Sequence, residues 1–148
     1  MSLKKIAVTA ALLLSTLPAI SQARDTALFL PFDKVVAEAI RTGKIDGSVK
    51  FYLAGNKPAG NVTVISPGAV TNKKTNAFNK SDEVACEWVL QSALISLHQA
   101  AKNAGANAVT NIVSFYKSNE RKDPTTYECH AGAIMAGVAL KGDLAKVQ

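Results

Sequence analysis

The feature that most constrains the fold is a helix-forming run over residues 82–104, DEVACEWVLQSALISLHQAAKNA. Ser81 stands where an N-cap is expected, and Asp82 and Glu83 place negative charge at the positive end of the helix dipole. Gly105 follows as a helix-ending residue. Apolar residues recur at three- and four-residue spacing, which predicts one long amphipathic helix with a buried stripe. That stripe consists of Cys86, Leu90, Ala93, Leu94, Leu97, Ala101 and Ala104.

The N-terminal segment has the pattern of a secretory signal peptide. Lys4 and Lys5 precede an apolar run, and Ser21-Gln22-Ala23 offers small residues at the positions that signal peptidase reads. The apolar run is too short for a stable membrane anchor, and no cysteine for lipid attachment follows it. We therefore expect a signal peptide over residues 1–23, one domain over residues 24–148, and a periplasmic or secreted protein.

The two cysteines of the chain, Cys86 and Cys129, allow one intramolecular disulfide. In an exported chain that pairing is expected, and it would join the long helix to a C-terminal strand. Two buried free thiols are the alternative. A redox-active pair is disfavoured because the sequence has no C-x-x-C motif.

The charge of the chain argues against a nucleic-acid partner. The net charge is +6, and removal of Lys4 and Lys5 with the signal peptide lowers it to about +4. The basic residues are scattered, and aromatic residues do not alternate with them as they do on single-strand-binding surfaces.

The remaining elements predict an α+β fold, a mostly antiparallel sheet with the long helix (about 82–104) on one face. A short helix is expected over about 34–42, with Asp33 as its N-cap. The residues of highest β propensity predict strands over 26–30, 48–53, 61–65, 108–116 and 125–140. The alanines and glycines of the last strand would let a helix approach closely. That strand could also be an edge that pairs with a second copy of the chain, so the oligomeric state is left open.

Two polar segments between these elements are the candidate binding loops, residues 69–80 and 117–124. Both are rich in lysine and other polar residues, and neither shows a regular period. The candidate contact residues are Asn72, Lys73, Lys74, Asn76, Lys80, Glu120, Arg121 and Lys122.

The sequence predicts no catalytic residue, metal ligand or cofactor site. Adjacent residues of a strand point to opposite faces, so Cys129 and His130 cannot readily share a metal ion. The chain has neither a nucleophile elbow nor a phosphate-binding loop, which argues against an α/β-hydrolase and a P-loop ATPase. The two histidines, His98 and His130, leave open a small hydrolase-like enzyme.

Two stretches resemble known families. Residues 100–109, AAKNAGANAV, resemble bacterial domains of the YbjQ and RcsF type, in which a helix packs on a compact sheet. Residues 71–88 and 127–142 resemble small exported proteobacterial proteins that are commonly labelled as an excinuclease ATPase subunit. An export signal and the lack of a nucleotide-binding loop do not fit that label.

We therefore expect a non-catalytic exported domain that binds an envelope or extracellular protein or a small ligand. The resemblance to RcsF-type domains implies the alternative, an envelope-stress or assembly factor.

Overall fold

A computed structural model describes residues 24–148, which form one six-stranded sheet and two α-helices. The elements follow in the order β1 Thr26–Pro31, α1 Phe32–Arg41, β2 Lys50–Leu53, β3 Val62–Asn76, α2 Asp82–Asn103, β4 Ala108–Ser114, a 3₁₀ turn Tyr116–Ser118, β5 Thr126–Ala131 and β6 Met135–Val147. The α+β class predicted from the sequence is confirmed. The predicted signal peptide, residues 1–23, lies outside the described residues.

The sheet is built around β6. β3 pairs with one edge of β6 over nearly its whole length, and β5 and β4 pair with successive parts of the other edge. β1 extends the sheet from β5, and β2 extends it from β4. All pairings between these strands are antiparallel except that of β2 with β4, so the sheet is mostly antiparallel, as predicted.

The helix α2 lies on one face of this sheet and supplies much of the core. Ser81 caps its first turn, with Oγ accepting a hydrogen bond of 3.2 Å from the Val84 amide. The helix α1 starts at Phe32, after Pro31, so Asp33 lies in the first turn and is not the N-cap. The largest fully buried side chains include Tyr127, Phe32, Leu90, Leu94, Leu97, Ile112 and Leu140.

A disulfide joins α2 to β5. It links Cys86 to Cys129, whose Cα atoms lie 5.8 Å apart, which is the pairing that the sequence predicted. Both cysteines are fully buried. Because the side chains of a strand alternate between its faces, the disulfide holds β5 from the helix side, and the neighbouring His130 points to the other side.

Residues 69–76 form a strand, so the predicted loop over residues 69–80 is wrong for most of its length. They are the second half of β3, and Asn72, Lys73, Lys74 and Asn76 pair in register with β6. Most of β3 is exposed, so its sequence lacks the apolar alternation of a half-buried strand. Lys80 is the one candidate residue of this region that lies in the turn before α2.

One expectation about the C-terminal part also needs correction. Residues 117–124 connect β4 to β5, and β6 lies between these two strands in the sheet. The last strand is not an edge: β6 continues to Val147 and has strands on both sides. β6 also runs past residue 140, the predicted end of the last strand, and includes Gly142.

Candidate functional site

A cavity of about 440 Å³ lies beside His130, and we call it the His130 cavity. Within β6, Ala136, Val138 and Leu140 are buried in the core with residues of α2. Gly137 therefore points to the opposite face, and the cavity lies on that face. Its lining residues are Arg24, Asp25, Lys74, Tyr116, His130, Gly132, Ala133, Ile134, Met135, Ala136 and Gly137.

The turn between β5 and β6 shapes one wall of the cavity. Ile134 and Met135 are about 65% and 47% exposed, so they give this wall an accessible apolar surface. Gly132 allows the Arg24 backbone to approach this turn closely, since a Cβ at position 132 would lie 2.8 Å from the Arg24 carbonyl oxygen. The Arg24 guanidinium donates to the Gly132 carbonyl and forms a two-bond ion pair with Asp82. These contacts hold the segment before β1 against the turn.

The polar end of the cavity is formed by His130 and the three residues that contact it, Asp25, Tyr116 and Glu128. We call these four residues the His130 cluster. The Nδ1 atom of His130 lies 2.9 Å from Asp25 Oδ1, and Nε2 lies 2.7 Å from Glu128 Oε2. The Tyr116 ring stacks on the imidazole with 3.4 Å between ring centroids and 10° between planes. Each ring nitrogen of His130 is therefore within hydrogen-bond distance of a different carboxylate.

The ionisation of the neighbouring groups follows from these contacts. The hydrogen bond from His130 lowers the pKa of the Asp25 carboxyl below its usual value. Burial, with a hydrogen bond of 3.2 Å from the Tyr116 hydroxyl to Asp25, raises the pKa of Tyr116. The Asp25 carboxylate thus contacts the His130 imidazole and the Tyr116 hydroxyl at the same time.

Lys74 is the candidate contact residue that the structure brings to this site. In the sheet Gly137 lies between His130 of β5 and Lys74 of β3, and it leaves open space because it has no side chain. The ion pairs formed within residues 24–148 do not include Lys74. By strand alternation Asn72 and Asn76 share its face, whereas Lys73 points to the opposite face.

The second candidate region lies apart from the His130 cavity. Glu120 accepts a hydrogen bond of 3.0 Å from Lys141, and the Arg121 guanidinium lies 4.1 Å from the centroid of the Phe29 ring. Lys122 and Glu120 line a smaller cleft of about 360 Å³ together with Asp143. The two predicted binding regions therefore belong to separate sites.

The segment before β5 is organised by Asp123. Its carboxylate accepts backbone hydrogen bonds of 2.9 Å from Thr125 and 2.8 Å from Thr126, and these bonds lower its pKa to about 2. The backbone of Arg121 is also fixed, because it exchanges two hydrogen bonds with the backbone of Ser114. These contacts hold the end of the 117–124 segment in one conformation and favour a structural part for Arg121.

The hydrolase-like alternative named His98 and His130. His98 lines none of the three described cavities, and its Nε2 atom lies 3.6 Å from Asp46. His130 does line a cavity, but both of its ring nitrogens are engaged by carboxylates. No serine, threonine or cysteine is among the residues that line the His130 cavity. The arrangement is therefore better suited to holding a ligand than to activating a nucleophile.

Asp25, Tyr116 and Ile134 are site residues that sequence reasoning did not identify. Asp25 stands just after the predicted cleavage site, and Tyr116 ends an apolar strand pattern, so neither has a local signal of function. The sequence points to His130 only, as half of a rejected metal site with Cys129 and as a residue of the hydrolase-like alternative. Among residues 24–148, no group of three or more histidine, cysteine or acidic side chains has an arrangement that could hold a metal ion.

Comparisons of the chain with protein-family models, with curated proteins and with solved structures find no significant match. Within the described part of the chain, neither helix combines the length and apolar character needed to span a bilayer.

Proposed function

We propose that residues 24–148 form an exported, non-catalytic domain that binds a small molecule in the His130 cavity. The observation that carries this proposal is the combination of an apolar wall with a compact polar end in one cavity of about 440 Å³. Small-molecule sites are usually concave, mostly apolar and about 300–1,000 Å³ in volume, with few polar groups that orient the ligand. The His130 cavity has each of these properties.

Lys74 favours a ligand with an apolar body and an anionic or hydrogen-bond-accepting group, which would lie across Gly137 from the carboxylates of the His130 cluster. Lys74 is a cation of the lining without an ion-pair partner in the described part of the chain, whereas Arg24 is neutralised by Asp82. Ile134 and Met135 offer the apolar surface on the same cavity. A flat amphipathic acid would place its rings on this surface and its acidic group toward Lys74.

Export to the periplasm or the medium is part of the proposal. It is supported by the signal-peptide pattern of residues 1–23 and by the disulfide Cys86–Cys129, because disulfides persist in oxidising compartments. Membership of the small exported family, and a role in envelope stress or assembly, are proposals that rest on sequence resemblance alone.

Filling the cavity should abolish ligand binding. As a probe we choose 1-anilinonaphthalene-8-sulfonate, which has fused and single aromatic rings and one sulfonate. Ala133 is exposed and lines the cavity, so Ala133→Trp adds an indole there without disturbing the core. We expect this variant to bind the probe at least about tenfold more weakly than the wild type, a loss of about 1.4 kcal/mol, measured by isothermal titration calorimetry.

The matched control is Ala59→Trp, which adds the same indole at an exposed position that does not line the His130 cavity. This control should bind the probe as the wild type does. Equal affinity of the wild type and Ala133→Trp, or no binding by a folded wild type, would contradict the proposal.

A second pair of variants tests the position of the anionic group. Lys74→Glu should weaken binding of the same probe about tenfold or more, because it replaces attraction of the sulfonate by repulsion in a partly enclosed site. Lys73→Glu makes the same charge change on the opposite face of β3 and should leave the affinity nearly unchanged. If both variants lose affinity equally, net charge rather than the cavity governs binding.

A further inference from the structure

Within residues 24–148, one edge of the strand β3 pairs with no other strand. Among residues 24–148, β6 is the one strand that pairs with β3, although β3 has 15 residues. An open edge presents backbone amide and carbonyl groups in the spacing that another strand requires. A strand of this length therefore needs either protection or a partner.

The second half of this edge is protected. The register with β6 shifts first between Val64 and Ser66 and again between Ser66 and Ala69, around Pro67 and Gly68, and such bulges interrupt the edge. Beyond the bulges, Lys73 and Lys74 would place like charges opposite one another if two copies paired there. These are devices by which natural sheets avoid edge-to-edge association.

The part of the edge before the first bulge, residues 61–64, has no such protection. Residues 61–66, NVTVIS, carry no charge and include four β-branched residues in a row. The side chains of Val62, Val64 and Ile65 are 42%, 47% and 43% exposed. A short uncharged segment of high β propensity at an edge is a strong candidate for pairing with another strand.

The hydrogen-bond pattern shows which backbone groups are free. Asn61 and Gln148 exchange both of their backbone hydrogen bonds, at 2.8 and 3.0 Å. In an antiparallel ladder such pairs alternate, so Thr63 bonds to Lys146 and the amide and carbonyl groups of Val62 and Val64 point away from β6. The outward groups thus lie on both sides of Thr63.

We propose that this segment pairs with the same segment of a second copy, antiparallel and about a two-fold axis at Thr63. Val62 of each copy then exchanges backbone hydrogen bonds with Val64 of the other, and the two Thr63 side chains lie opposite one another. The segment fits its own copy because every pair is uncharged and Thr–Thr and Val–Val neighbours are favourable in antiparallel sheets. Two six-stranded sheets would join into one of twelve strands.

The experiment is sedimentation of the purified protein over about 5–500 μM, since so short a pairing buries less than a standard interface and should be weak. We expect a concentration-dependent monomer–dimer equilibrium. Thr63→Lys places two ammonium groups opposite one another and should weaken dimerisation at least about tenfold. Val70→Lys adds the same charge to β3 beyond the bulges, where the side chain is also exposed, and should leave dimerisation unchanged.

A cross-link reports the register. Cys86 and Cys129 are paired, so Thr63→Cys introduces a single free thiol. Under mild oxidation this variant should form a covalent dimer faster than Val70→Cys. A wild type that stays monomeric throughout the range, equal effects of the two lysine variants, or equal cross-linking of the two cysteine variants would each overturn the proposal.

Discussion

Replacing both cysteines by alanine is expected to lower the free energy of unfolding by about 3–4 kcal/mol. The disulfide closes a segment whose ends are separated by 43 positions, and the chain-entropy estimate for a loop of that length is about 4 kcal/mol. Cys86 and Cys129 are both fully buried, so alanine removes the bond without placing a polar group in the core. Urea unfolding of the wild type and of the double variant measures the difference.

The reduced wild type is the natural control for this prediction, because it has the same chain without the bond. It should unfold close to the double variant in urea. A double variant within about 1 kcal/mol of the oxidised wild type would mean that packing of α2 on the sheet, rather than the covalent link, dominates the stability.

Gly142→Ala is expected to destabilise the domain by about 1–3 kcal/mol, the usual range for an overpacked core. A Cβ at this position would lie 2.9 Å from Val109 Cγ1, 3.0 Å from Ile112 Cγ1 and 3.3 Å from the Thr110 carbonyl oxygen. The two side chains are fully buried and have no room to move aside. β6 would have to shift away from β4, with which it pairs on either side of Gly142.

Gly137→Ala in the same strand is the matched variant. A Cβ there would lie 3.6 Å from its nearest neighbour, the Lys73 carbonyl oxygen, which is an ordinary contact. We expect its free energy of unfolding to stay within about 0.5 kcal/mol of the wild type or to rise slightly, because alanine reduces the entropy of the unfolded chain. Equal destabilisation by both variants would show that β6 resists any added side chain and would refute the steric explanation.

Among the predicted contact residues, Lys74 lines the His130 cavity, and it does so as part of a strand rather than of a loop. Lys74 was chosen because residues 69–80 look like an exposed polar loop, yet it lies in β3 and reaches the His130 cavity through its register with Gly137. Glu120 and Lys122 line a different cleft. The sequence offers His130 only as a rejected metal ligand or as a residue of a hydrolase-like enzyme, since nothing near it in the sequence points to Asp25 or Tyr116.

The amino-acid pattern alone was sufficient for the α+β class and the Cys86–Cys129 pairing. The first follows from local periodicity and turn residues, and the second follows because two cysteines allow a single intramolecular pair. Neither the strand character of residues 69–76 nor the central position of β6 could be read in this way. The inward positions of this part of β3 are Thr71, Lys73 and Thr75, so the strand has no apolar alternation, and its partners in β6 are 59 or more positions away in the sequence. The His130 cavity depends on the same long-range pairing, because it is formed where β3, β5, β6 and the segment before β1 meet.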